Sequence, residues 1–105
     1  MTRGDIVTVS LPGDYGKPRP ALVIQSDLFE EHPSLTVLPI TSHLVDAPLL
    51  RIGIGPESWL DRPSQIQIDK AQTPRRTWIG TVIGRADDVT LRAVNRALSI
   101  FLGLV

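Results

Sequence analysis

Alternation of apolar and polar side chains marks the first element. In Asp5 to Leu11 (DIVTVSL), Ile6, Thr8 and Ser10 fall on one face of an extended segment and Val7, Val9 and Leu11 on the other. β-Branched residues dominate the segment, and they fit the pleated surface of a sheet. The next seven residues, PGDYGKP, hold two glycines and two prolines, which end the strand in a loop. Arg19 to Gln25 (RPALVIQ) then runs almost continuously apolar. That pattern predicts a strand covered on both faces, at the centre of the sheet. Ser26 to Ser34 is a polar connection with room for one helical turn, and Leu35 to Thr41 (LTVLPIT) resumes strand character. Pro39 has no N–H to give a ladder, so an edge or a bulge is expected there.

Two further short strands are predicted over Pro48–Ile54 (PLLRIGI) and Ser64–Asp69 (SQIQID), separated by a loop with Gly55, Pro56 and Pro63. Thr77–Ile83 reads as the last strand, with Gly80 and Gly84 blurring its limits. Asp87 or Asp88 then offers an N-cap, and Leu91, Val94, Leu98 and Phe101 or Leu102 recur at helical spacing up to Gly103. The apolar ending, Phe101 to Val105, is expected to be packed. Five or six short strands followed by one helix predict an antiparallel sheet, curled on itself, with the helix against one side.

Composition narrows the chemistry more than the fold. A chain of 105 residues with 42% hydrophobic content supports one modest core, so residues 1–105 are expected to form a single domain. Lys+Arg and Asp+Glu balance at 11 each, with a pI near 6.7, so any site for a polyanion must come from local clustering. Zero cysteines exclude disulfides, thiolate metal sites and thiol nucleophiles together. Without an apolar signal core or a membrane-length apolar run, the expected location is the cytoplasm.

Five short stretches, in order, carry a family resemblance: Arg3-Gly4-Asp5-Ile6-Val7, Arg19 to Val23 (RPALV), Pro39-Ile40-Thr41, Ser64 leading to Asp69, and Ile83-Gly84 ahead of the helix. In that order the chain resembles the MazF/PemK toxins of type II toxin–antitoxin systems along nearly its whole length. The resemblance implies a mainly β fold with a C-terminal helix, a small, twisted, partly open antiparallel β-barrel of the CcdB/MazF/PemK kind. It also implies a metal-independent endoribonuclease (an mRNA interferase), without a cofactor, cleaving single-stranded RNA. The implied partners are a second copy in a homodimer and an antitoxin whose disordered, acidic-hydrophobic segment covers the RNA groove. Two departures are visible. Gln72 stands where many members have arginine, and Gln67 stands two residues before the acid, where the PemK branch has one. The histidine of that branch's first long loop is also missing, so its proton-transfer assignments do not carry over.

By the resemblance, Arg19 and Thr41 form the cleaving centre, with Asp69 as the accompanying acid. Their chemistry suits the task, because RNA carries its own nucleophile in the 2′-hydroxyl. A protein has to orient that attack, stabilise charge on the phosphorus and move protons. Arginine stays protonated and presents a rigid fork to phosphate oxygens, and Thr41 adds one neutral donor. Asp69 is expected either to act as base or to hold Arg19 by a salt bridge. His43 would share the face of Thr41 if the strand continued. Lys17, Lys70, Arg75 and Arg76 are candidates to gather phosphates, and Tyr15 and Trp78 to stack bases. Ser42 and Gln72 complete the expected substrate contacts. Ser64 is read as shaping a strand start. Two alternatives stay open: a cleavage-dead module that binds antitoxin, and a CcdB-like poison of DNA gyrase acting through its C-terminal residues.

Overall fold

Backbone pairing joins six antiparallel strands into one sheet in a computed structural model that describes residues 1–13, 17–55 and 60–105. The strands are β1 (Asp5–Val9), β2 (Arg19–Val23), β3 (Val37–Thr41), β4 (Arg51–Ile54), β5 (Ser64–Gln67) and β6 (Ile79–Arg85), and one helix, α1 (Asp88–Phe101), follows. Their spatial order is β4-β5-β3-β2-β1-β6, so the sheet is open at β4 and β6 and β2 and β3 occupy its middle. Short 3-10 turns at Asp27–Phe29, Ile68–Lys70 and Arg76–Trp78 make the connections.

Each central strand buries both faces. Ile6, Leu22, Leu38, Ile40, Ile54 and Ile66 form one cluster, closed over by Val94 and Ala97 of α1. Val7, Val9, Ala21, Val23 and Val37 form a second cluster with Leu35, Leu11 and Ile79. Sequence neighbours such as Leu22 and Val23, or Val37 and Leu38, therefore enter different cores, which is why β2 reads as a continuous apolar run. Three of the five residues in each of β1, β2 and β3 are buried in these clusters.

β3 is a central strand, and the edge expected at Pro39 is present only locally, on the side where pairing with β5 has not begun. Pro39 pairs with Ala21 of β2, while pairing with β5 begins one residue later at Ile40. The proline thus falls where β3 passes from one partner to the other, and its missing N–H is accommodated inside the sheet. The outer pair, β1 with β6, slips register between Ile6 and Val7 and again between Val7 and Val9. In this stretch Gly80 lies so close to Thr8 that an added Cβ would overlap Thr8 Oγ1. That hydroxyl is itself fixed, accepting a 3.0 Å hydrogen bond from the Thr81 N–H.

Capping sets both ends of α1. Asp87 accepts from the Thr90 N–H at 2.8 Å, satisfying one of the free donors of the first turn. The hydrogen bonds from Thr90, aided by the charge of Arg92, hold the Asp87 carboxyl below the usual carboxylate range. At the other end Gly103 takes a positive φ of 71°, with Leu104 N–H bonded to Ser99 O and Gly103 N–H to Ile100 O. This is the double bond pattern of a glycine-terminated helix. The apolar ending is exposed rather than packed: Leu102 is 60%, Leu104 72% and Val105 90% accessible. Buried contacts of α1 end at Ala97 and half-buried Leu98, so the helical stripe outlasts the surface it packs on.

Gly80→Ala is expected to destabilise the protein by about 1–3 kcal/mol in urea unfolding, because Thr8 cannot withdraw without releasing the Thr81 amide. Asp87→Ala should lower the melting temperature at neutral pH. A carboxyl with a depressed folded value contributes stability above its unfolded value and loses it as pH falls through the folded one. The gap between wild type and variant, followed by circular dichroism, is therefore expected to close in acid.

Candidate active site

The two candidate cleaving residues end their strands at one cleft. β1 pairs Val9 with Arg19, β2 pairs Ala21 with Pro39, and β3 pairs Thr41 with Gln65. The β2–β3 pairing stops at Ala21 and Pro39, so Arg19 at the start of β2 and Thr41 at the end of β3 lie just past it, at the same end of the two antiparallel strands.

Arg19 and Thr41 both line a cleft of about 670 Å³, together with Pro20, Ser42, Gln67, Thr8, Asp61 and Arg62. A smaller recess of about 160 Å³ adjoins it, where Arg19 meets Leu11, Pro39 and Gln72. Arg19 borders both. Pro20 restricts the backbone of Arg19 to the extended form that begins β2. The guanidinium has neither a hydrogen bond nor an ion pair among the described residues, where the one salt bridge joins Arg85 to Asp5 at 2.9 Å. Its donors are free for an anion.

Thr41 ends β3, and its Oγ1 accepts a 3.1 Å hydrogen bond from the His43 N–H. An occupied acceptor side leaves the hydroxyl proton available for donation. Ser42 is exposed beside it. Gln72 reaches the neighbourhood through its backbone, which exchanges two hydrogen bonds with Val37, at 2.8 and 3.0 Å. Arg19 thus shares the larger cleft with Thr41 and Ser42 and the smaller recess with Gln72.

Other expected residues lie apart. Asp69 and Lys70 belong to the 3-10 turn after β5, line neither recess, and form no ion pair with Arg19. The proposed Asp69–Arg19 bridge is therefore absent. The guanidinium of Arg76 donates to the carbonyls of His32 and Phe29, closing the turn after β2. Lys17 is exposed next to Pro18, which lines the cleft, while His43 is tied in through its backbone, its carbonyl accepting from Arg51 at 3.1 Å. Trp78 is half-buried and its carbonyl accepts from Ser10. Tyr15 lies outside the described residues. Ser64 shapes the start of β5: it is buried, and its hydroxyl donates to the Arg62 carbonyl at 3.0 Å.

Asp61, Arg62 and Gln67 were not singled out by sequence reasoning as cleft residues. Arg62 carries an exposed guanidinium without a partner among the described residues, giving the cleft a second cation. The only sequence signal was position: a charged pair in a proline-bearing loop just before a strand, where functional side chains concentrate. Gln67 was visible only as a lost arginine. Among the described residues no group of three or more His, Cys, Asp or Glu is placed to hold a metal ion. Nor is any helix there long and apolar enough to cross a membrane.

Comparison with known proteins identifies the family. The pattern of the family described as "PemK-like, MazF-like toxin of type II toxin-antitoxin system" matches residues 2–102. A probable endoribonuclease MazF from Mycolicibacterium smegmatis is 44% identical over 107 residues, covering 99% of this chain and 98% of that one. The Mycobacterium tuberculosis toxin MazF-mt6 superposes with a TM-score of 0.83 at 23% identity, covering 94% of this chain and 96% of its own. A mycobacterial endoribonuclease solved with its cognate antitoxin gives 0.85 at 22% identity, over 100% and 97% of the two chains. MazF from Deinococcus radiodurans, in a MazE-MazF structure, gives 0.84 at 20% identity, over 98% and 96%. With a family match over nearly the entire chain and a 44% identical relative, the protein belongs to the PemK-like, MazF-like toxins of type II toxin–antitoxin systems.

Proposed function

We propose that this toxin is an endoribonuclease that cuts single-stranded RNA by promoting attack of a ribose 2′-hydroxyl on the adjacent phosphate. The observation that carries the reading is the unpaired guanidinium of Arg19 in the cleft that Thr41 also lines. Arg19 binds the scissile phosphate and offsets the charge that grows on its oxygens as the 2′-oxygen approaches. Thr41, its acceptor side occupied by the His43 N–H, donates its hydroxyl proton to the same group. Ser42 and Gln72 flank this pair, and Arg62 contacts a neighbouring phosphate. The products are a cyclic phosphate and a 5′-hydroxyl. The M. smegmatis relative named as a probable endoribonuclease supports the reaction class.

The same reading includes a cytoplasmic homodimer and an antitoxin that inhibits by occupying the cleft. Relatives solved with a cognate antitoxin support that partner. A disordered acidic segment suits it, because carboxylates can pair with Arg19 and Arg62 while apolar side chains take up exposed surface.

Purified protein incubated with a long RNA in EDTA is expected to yield cyclic or 3′-phosphate ends opposite 5′-hydroxyls. Arg19→Ala should abolish cleavage. Thr41→Val should lower kcat by about 10²-fold, the usual cost of one preorganised donor at a developing charge. Intact RNA together with gyrase inhibition would replace the reading with a CcdB-like one. Intact RNA with retained antitoxin binding would leave a regulatory module.

A further inference from the structure

Past Thr41 the chain leaves the sheet, yet residues 43–45 are held by side chains from the two strands beyond it. Gln65, directly opposite Thr41 in the β3–β5 register, reaches the backbone of Val45 with both ends of its amide. Its Oε1 accepts from the Val45 N–H at 3.1 Å and its Nε2 donates to the Val45 carbonyl at 3.1 Å. The side chain thus replaces the partner strand that this segment lacks. Arg51 of β4 pairs with Gln67, which puts it diagonal to Gln65 on the same face. Its guanidinium donates to Gln65 Oε1 at 2.9 Å and to the His43 carbonyl at 3.1 Å. Gly53, two residues further along β4, stands opposite Gln65, and an added Cβ there would meet nothing within 4 Å.

These four hydrogen bonds lead back to the cleft. Residues 43 and 45 are fixed by Arg51 and Gln65, and the His43 N–H donates to Thr41 Oγ1. We propose that Arg51 and Gln65 are positioning residues: by clamping residues 43–45 they hold the His43 N–H on Thr41 Oγ1, so that the threonine hydroxyl is aimed at the phosphate before substrate arrives. The proposal rests on the endoribonuclease reading and deepens it. Arg51 lines neither recess, unlike Arg19, and its Nη1 makes both of these hydrogen bonds. Its effect on the reaction therefore runs through geometry and not through phosphate binding. Free rotation of the Thr41 hydroxyl would have to be arrested during catalysis if the clamp did not arrest it beforehand.

Gln65→Leu and Arg51→Met separate this role from simple support of the fold. Each variant is expected to lower kcat about tenfold with KM changed less than about threefold. In a Thr41→Val background the same substitutions should cost less than about twofold, since there is no hydroxyl left to aim. NMR-detected hydrogen exchange, run without RNA, should show the His43 amide exchanging at least about tenfold faster in both variants while the Val7 amide keeps its wild-type rate. Equal losses in the wild-type and Thr41→Val backgrounds would overturn the proposal, as would a loss confined to KM or unaltered exchange at His43. Failure of the underlying reading looks different: wild-type protein would leave RNA intact, whatever the exchange data report.

Discussion

Burial of both faces of β2 and β3 is the constraint on which the rest depends. A strand with one wet face has its register set by polarity, because a one-residue slip would turn the apolar set toward water. Here that penalty is weak, since Leu22 and Val23, or Val37 and Leu38, are apolar on either side. Size takes over the task. Small Ala21 stands against Pro39 and large Leu22 against Leu38, and exchanging them would overfill one core and leave a void in the other. Register fixed in this way brings the start of β2, with Arg19, and the end of β3, with Thr41, to one cleft. The site is thus a by-product of core packing a few ångströms away, and its residues contribute little to holding the sheet themselves.

Much of this was legible in the chain. The six strands and the helix fall where alternation, continuous apolar runs and the Asp87 cap place them, and the two-sided burial of β2 followed from its unbroken RPALV run. Failures came where local pattern meets tertiary context. Pro39 signalled an edge because the missing N–H is a local fact; the fold supplies that edge only at one residue of a central strand, where β5 has not yet joined. The tail from Phe101 to Val105 has the composition of a core and no surface to pack on. Sequence gave the apolar stripe, and only the fold shows where the stripe runs out.

The site divides along the same line. Arg19 and Thr41 could be named from a family motif, and the antiparallel pairing of β2 with β3 explains why two residues far apart in the chain line one cleft. Asp69 could not be placed from sequence, because the strand expected to carry it ends at Gln67 and gives way to a tight turn. Arg76 illustrates a general difficulty: a guanidinium that looks available for phosphate is occupied by the carbonyls of His32 and Phe29. Arg62, unremarked in the sequence, is not occupied. Whether an arginine is free or employed is decided by carbonyls and carboxylates brought near it by the fold, which no linear pattern records.

The even balance of charge, with only a few guanidiniums left unpaired at the cleft, bears on how such a protein would search among cellular polyanions. Attraction at long range scales with net charge, and here there is almost none to draw in an arbitrary nucleic acid. Engagement through a few phosphates releases few counterions, so encounters with folded RNA or duplex DNA are shallow and brief. Discrimination then falls to close fit within the cleft, and the bulk of the cell's nucleic acid acts as a weak competitor rather than a sink.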